Sequence, residues 1–160
     1  MDHKFDLKFE VSGRIARPVE EVFEAVANPE KLSAYFTTGG AKRRLETGAT
    51  VMWDFAEFPG AFPVHVVEVE KNKRIILRWD ANDTEAEPGG EGGTYQTQVT
   101  MRFEALDGGR TLVSISEEGW RQTAAGLKST ISNAGGWMQM LCAMKAWVEH
   151  GINLRDGMFR

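Results

Sequence analysis

Three histidines, His3, His65 and His150, and one cysteine, Cys142, are the side chains best suited to hold a metal or act as a nucleophile. Their spacing matches no metal-ligand pattern, and no Gly-x-Ser-x-Gly turn presents an acyl nucleophile. Gly126-Leu127-Lys128-Ser129 carries a disturbed form of a phosphate loop: Leu127 separates the glycine from the lysine, and Arg121 stands where the first glycine belongs. Pro88 to Gly93 is glycine-rich, but it has no lysine and leads into a strand instead of the helix N-terminus that binds phosphate. Asp54, Glu57, Glu68 and Glu70 are near enough along the chain to pair for acid–base work, although carboxylates on strands more commonly form a solvated face. The sequence therefore predicts no catalytic residue, no metal and no cofactor.

The elements that would position any site follow from periodicity. Phe5, Leu7, Phe9, Val11 and Ile15 alternate with polar residues, the pattern of a half-buried strand. Pro18, with Glu20 and Glu21 behind it, starts a helix that runs to Ala27, and Asn28-Pro29-Glu30 starts a second, short one carrying Leu32, Tyr35 and Phe36. Six further strands are predicted: Lys42 to Leu45, Thr50 to Phe55, Phe62 to Glu70, Arg74 to Trp79, Thr94 to Ala105 and Arg110 to Glu118. Asp107-Gly108-Gly109 is a tight hairpin link, and Asp80 to Gly93 reads as a long flexible loop.

The last long element spans Asn133 to His150, with Gly151 as its cap and Gly135-Gly136 as the turn that leads into it. Trp137, Leu141, Met144, Val148 and Ile152 form its apolar stripe, flanked by Met138, Met140, Cys142 and Trp147, with Gln139, Ala143, Ala146 and His150 opposite. Lys145, near the edge of that arc, suits an anionic head group or simply lays its stem on apolar surface. One strand, two short helices, six strands and one long helix make an α+β fold in which a single helix must cover a strongly curved antiparallel sheet.

Strand parity turns Phe36, Trp53, Phe55, Val67, Trp79, Tyr95, Thr97, Val99, Trp137, Leu141 and Met144 inward, with His65 sharing the parity of Val67. These residues either line a hydrophobic pocket or fill a solid core. The surplus of bulky side chains on a helix with one sheet to cover, and the flexible thioethers of Met138, Met140 and Met144, favour a pocket. His65 would offer a ligand a hydrogen-bonding nitrogen or bond to backbone within the core. Glu57 to Phe62 bridges two strands and is either a lid or docking knob, or a hairpin whose rings fold onto the core.

The chain resembles the heat-shock protein 90 ATPase activator homologues of the START/Bet v-like (SRPBCC) superfamily. The resemblance lies in Ile15-Ala16-Arg17-Pro18 leading to Val22-Phe23, Asn28-Pro29-Glu30-Lys31-Leu32, Val67-x-Val69, Ile75-Ile76-Leu77-x-Trp79, Val99-Thr100-Met101, Thr111-Leu112-Val113, Glu118-Gly119 and Gly136-Trp137-x-x-x-Leu141. It implies a helix-grip fold, a seven-stranded sheet gripping the C-terminal helix, usually around a cavity, and a stress-response setting. It does not imply one function, because relatives include co-chaperone domains, lipid carriers, hormone receptors and polyketide cyclases.

Composition narrows the partners. The net charge of −4 leaves no basic excess for nucleic acid, and 42% hydrophobic residues in 160 supply one core of ordinary size, hence one domain over residues 1–160. No apolar run approaches the roughly 20 residues of a membrane span. The single cysteine and the start MDHKF, which has no secretion signal, point to the cytoplasm. The expected function is non-catalytic binding of a small apolar or amphipathic molecule by a monomer or homodimer. The alternatives are a co-chaperone-like module that docks on a chaperone and a polyketide cyclase-like enzyme using His65 and Tyr95.

Overall fold

The computed structural model describes residues 6–159, apart from the side chain of Pro59. His3 and Phe5 lie outside the described residues. The elements are β1 (Lys8–Ile15), α1 (Val19–Ala27), α2 (Pro29–Ser33), β2 (Gly40–Ala41), β3 (Thr50–Phe55), β4 (Phe58–Glu70), β5 (Arg74–Asp80), β6 (Gln96–Leu106), β7 (Arg110–Glu118) and α3 (Ala124–His150). The seven strands form one antiparallel sheet in the order β1-β7-β6-β5-β4-β3-β2. Sequential hairpins account for all of it except β1, which pairs with β7 and so closes the strands around α3. Seven antiparallel strands, two short helices after the first strand and one long C-terminal helix are the architecture that periodicity predicts.

Local chemistry explains the helix boundaries. Asn28 caps α2 by accepting from the amides of Glu30 and Lys31 at 3.0 and 3.3 Å. Thr123 caps α3 through the Gly126 amide at 2.9 Å, and Gly151, at φ 69°, ends it in the left-handed conformation that glycine adopts without strain. The helix thus starts nine residues before Asn133 and spans 27 residues, about 40 Å. Gly135 and Gly136, expected as a turn, lie inside it. Small and polar residues between Gly126 and Gly136 hid this first segment, but the Thr130 hydroxyl bonds back to the Gly126 carbonyl at 2.7 Å and needs no other partner.

Three strand expectations are corrected. No strand covers Lys42 to Leu45: the Leu45 amide donates to the carbonyl of Ala27 at the end of α1, and the edge strand is the two-residue β2 instead. β4 begins at Phe58, not Phe62. In β4 the register also slips, because Val66 pairs with Leu77 but Glu68 with Ile76, leaving Val67 as an extra residue. A one-residue bulge reverses facing on either side of it. Val64 and Val66 are buried and Val69 packs on the core, so His65 and Val67 do not face inward.

The loop between β5 and β6 is tied down, not free. Arg121 donates to the carbonyls of Glu85 and Gly93, while Glu87 and Glu85 accept from the amides of Gln122 and Ala125 at the start of α3. Carboxylates suit that end of a helix, where amides lack partners.

The middle and C-terminal half of α3 are packed on both sides. Leu141, Met144, Met140 and Ala143 are buried, Gly13 on β1 admits Leu141 to within 3.2 Å of where a Cβ would lie, and Tyr35 stacks on Trp147 with ring centres 5.6 Å apart. Ala143 therefore faces the core, contrary to its place on the polar side of the wheel, because the short helices cover that flank. Ile152 and Met138 are exposed. Lys145 donates to the Arg14 carbonyl and pairs with Glu149, which also accepts from the Ala16 amide at 3.0 Å, so both residues pin the helix to the end of β1.

Lys145, followed by the Ala16 amide, holds the Glu149 carboxyl below the usual carboxylate range. A depressed folded-state pKa contributes stability above the unfolded value and loses it as pH falls through the folded one. Glu149→Gln should therefore cost about 1 kcal/mol at neutral pH and flatten the stability loss below about pH 4.3. Urea melts at a series of pH values measure both effects; parallel curves for the two proteins would contradict this role.

Candidate functional site

The inward face of β7 carries Thr111, Val113, Ile115 and then Glu117, which is fully buried. Four side chains from three elements donate to its carboxylate. They are Trp79 Nε1 on β5 at 2.9 Å, Thr97 Oγ1 on β6 at 2.6 Å, and Trp137 Nε1 at 2.8 Å and Asn133 Nδ2 at 3.1 Å on α3. No cation among the described residues pairs with Glu117, so neutral donors offset its desolvation. Glu117 is not among the acids that sequence spacing singles out, because it has no acidic neighbour along the inward face of its strand. The available signal was its parity, an acid continuing the column of Val113 and Ile115.

With their N–H groups bonded to Glu117, Trp79 and Trp137 line a cleft of about 670 Å³. Its wall is a contiguous aromatic patch: Phe36–Phe55 at 5.0 Å, Phe55–Phe62 at 5.9 Å, Phe62–Trp79 at 5.8 Å, Trp79–Trp137 at 5.4 Å and Trp137–Phe36 at 5.7 Å between centres. These separations are those of favourable stacked and edge-to-face pairs. Gly60, at φ 126°, lies where β4 has two residues more than β3, between the Trp53↔Phe62 and Phe55↔Phe58 pairs. Gly135 and Gly136 form the opposite wall, and a Cβ added to either would meet nothing within 4 Å. Asp80, Gln139 and Arg155 supply polar edges.

Arg155 is buried beside Phe36, Phe55 and Phe159, and burial pushes its guanidinium below the ordinary arginine value while the Glu57 charge acts in the other direction. Phe58 stands exposed against Phe159 at 5.3 Å, whereas Phe62 folds inward, so the two hairpin rings take opposite parts.

Of the residues expected to line a pocket, Phe36, Phe55, Trp79 and Trp137 meet at this cleft. Trp53, Thr97, Val99, Leu141 and Met144 are buried beneath it as core. His65 Nδ1 sits 3.1 Å from the Thr50 hydroxyl on the outer face, and Val67 is exposed in the bulge. Tyr95 lies under the β5–β6 loop, donating to Asp83 at 2.7 Å with Arg121 over its ring; burial and Asp83 push its phenol up to about 12. His65 and Tyr95 thus do not share a site. Among the described residues no cluster of histidine, cysteine and carboxylate groups is arranged to hold a metal, and no helix is long and apolar enough to cross a membrane.

Curved sheet, gripped helix and lateral aromatic cleft define a START-like helix-grip fold. The sequence matches the model of the activator of Hsp90 ATPase homolog 1-like protein family over residues 16–149, and the chain belongs to that family. Among solved structures, protein SSP2350 from Staphylococcus saprophyticus superposes with a TM-score of 0.74 at 25% identity, covering 92% of this chain and 96% of that one. The Aha1 dimer from Colwellia psychrerythraea gives 0.70 at 18%, covering 90% and 97%. DynU16, from the dynemicin biosynthetic locus, gives 0.72 at 22%, covering 91% of this chain and 48% of its own. No curated protein matches the sequence.

If Glu117 braces the site, Glu117→Gln should cost about 2 kcal/mol, since an amide turns one acceptor into a donor facing donors. Trp137→Ala, which removes a donor and two ring contacts, should cost about 3 kcal/mol or more. Urea unfolding with tryptophan emission as readout tests both. An unchanged midpoint for Glu117→Gln would rule out the brace.

Proposed function

We propose that the chain is a non-catalytic binding protein that holds a small hydrophobic or amphipathic molecule in the aromatic cleft beside the N-terminal half of α3. The observation that carries this reading is the contiguous aromatic patch of Phe36, Phe55, Phe62, Trp79 and Trp137 lining a cleft of about 670 Å³. Ligand pockets typically have ~300–1,000 Å³, mostly apolar walls and a few placed polar groups. The aromatic faces would bury an apolar body, and Asp80, Asn133, Gln139 and Arg155 would orient its polar end. The site lies to one side of the packed helix–sheet core.

A second reading, docking on a chaperone, draws support from family membership and from Phe58, which is 61% exposed at the cleft rim. It predicts recovery of a chaperone in a pull-down and a changed ATPase rate on addition of the protein. Neither effect follows from a ligand carrier alone.

A thermal-shift panel of lipids, aromatics and polyketides tests the first reading. A ligand at 100 times its Kd should stabilise the fold by about 2.7 kcal/mol and raise Tm by roughly 5–10 °C. Gly136→Leu should fill the cleft and abolish that shift while itself stabilising α3 by about 0.5–1 kcal/mol, because leucine is the better helix former. No shift from any compound, or a shift that survives Gly136→Leu, would rule out this site.

A further inference from the structure

Arg155 is 6% exposed, yet its side chain makes no hydrogen bond among the described residues, and its Nε is buried without one. The nearest carboxylate is Glu57, whose Oε1 lies 4.0 Å from that Nε, beyond hydrogen-bond reach. Glu57 already accepts the Thr38 hydroxyl. Asp80, a carboxylate that lines the cleft, is exposed at the end of β5, where water screens it. Ring faces at 5.0, 5.4 and 5.6 Å from Phe159, Phe55 and Phe36 offset part of the buried charge but supply no acceptor for its five N–H groups.

A buried N–H with no acceptor, as at Arg155 Nε, is costly, and a charge this little exposed gains from an anion placed beside it. Carboxylate geometry matches the planar fork of arginine with two parallel hydrogen bonds, which a lysine or a surface cation would not select. The same guanidinium lines the cleft with Phe36, Phe55, Phe62, Trp79 and Trp137. Building on the ligand-binding reading above, we propose that Arg155 anchors the carboxylate of an aromatic acid whose ring system lies against Phe36, Phe55, Trp79 and Trp137. Glu57 stands 4.0 Å from Nε as an opposite charge without a hydrogen bond, and the terminal N–H groups receive the ligand.

Calorimetric titration with 2-naphthoate and its uncharged analogue 2-naphthamide tests this at neutral pH. The wild-type protein should bind the acid about tenfold more tightly than the amide, the difference that a charge-assisted pair adds. Arg155→Gln should erase the preference, so that naphthoate binds no more tightly than naphthamide, while Arg155→Lys should keep part of it. Circular dichroism confirms that the variants fold, and the comparison of two probes on the wild-type chain stands even if they do not. Equal affinity of the two probes, or a preference retained by Arg155→Gln, overturns the anchor while leaving the cleft as a neutral-ligand site. Failure of both probes and of the whole thermal panel removes the cleft reading and the anchor together.

Discussion

One buried carboxylate ties sheet, helix and cleft together. Glu117 has no exposure, and its oxygens accept from Trp79, Thr97, Asn133 and Trp137, so β5, β6, β7 and α3 meet at a single polar point within apolar surroundings. Apolar packing is tolerant of small rotations and slides. Hydrogen bonds to a buried charge are not, since each lost bond leaves an unmatched group in a medium of low polarity. The contact therefore sets the height at which α3 crosses the sheet and the rotation of two indoles.

Held at their N–H groups, Trp79 and Trp137 stack on each other with ring centres 5.4 Å apart and line the cleft together with Phe36 and Phe62. Gly135 and Gly136 keep the facing wall thin. The helix gives up some intrinsic stability there, because glycine in a helix interior is less favourable than alanine by about 1 kcal/mol. At the other end of α3, Ala143, Met144 and Trp147 are packed between the sheet and the short helices. One helix thus serves as core over its second half and as pocket wall over its first.

Family membership accounts for the scaffold and leaves the cleft to individual chains. SSP2350, DynU16 and the Aha1 dimer superpose well on this chain at 25% identity or less, and DynU16 comes from the dynemicin biosynthetic locus. Such divergence is expected when a curved sheet and its helix need only apolar patterning, whereas specificity resides in a few side chains at the open edge. Arg155, which follows the last helix, lies along that cleft.

Periodicity was enough for the seven strands and the one long helix that covers them, because period-two and helical patterns and capping residues act over a few residues each. The strict alternation of β1, the Asn28 cap and the Gly151 stop are local features that tertiary packing merely preserves. Four cleft residues, Phe36, Phe55, Trp79 and Trp137, were legible for the same reason: each is a large aromatic on the apolar side of its element. The remainder depended on contacts between distant segments. A bulge at Val67 reversed the facing of His65, the true start of α3 was hidden by small residues, and Glu117 became a brace only where two indoles, a threonine and an asparagine converged on it. Strand parity could place that acid on the inward face, but only the tertiary structure could supply the four donors that let a carboxylate remain there.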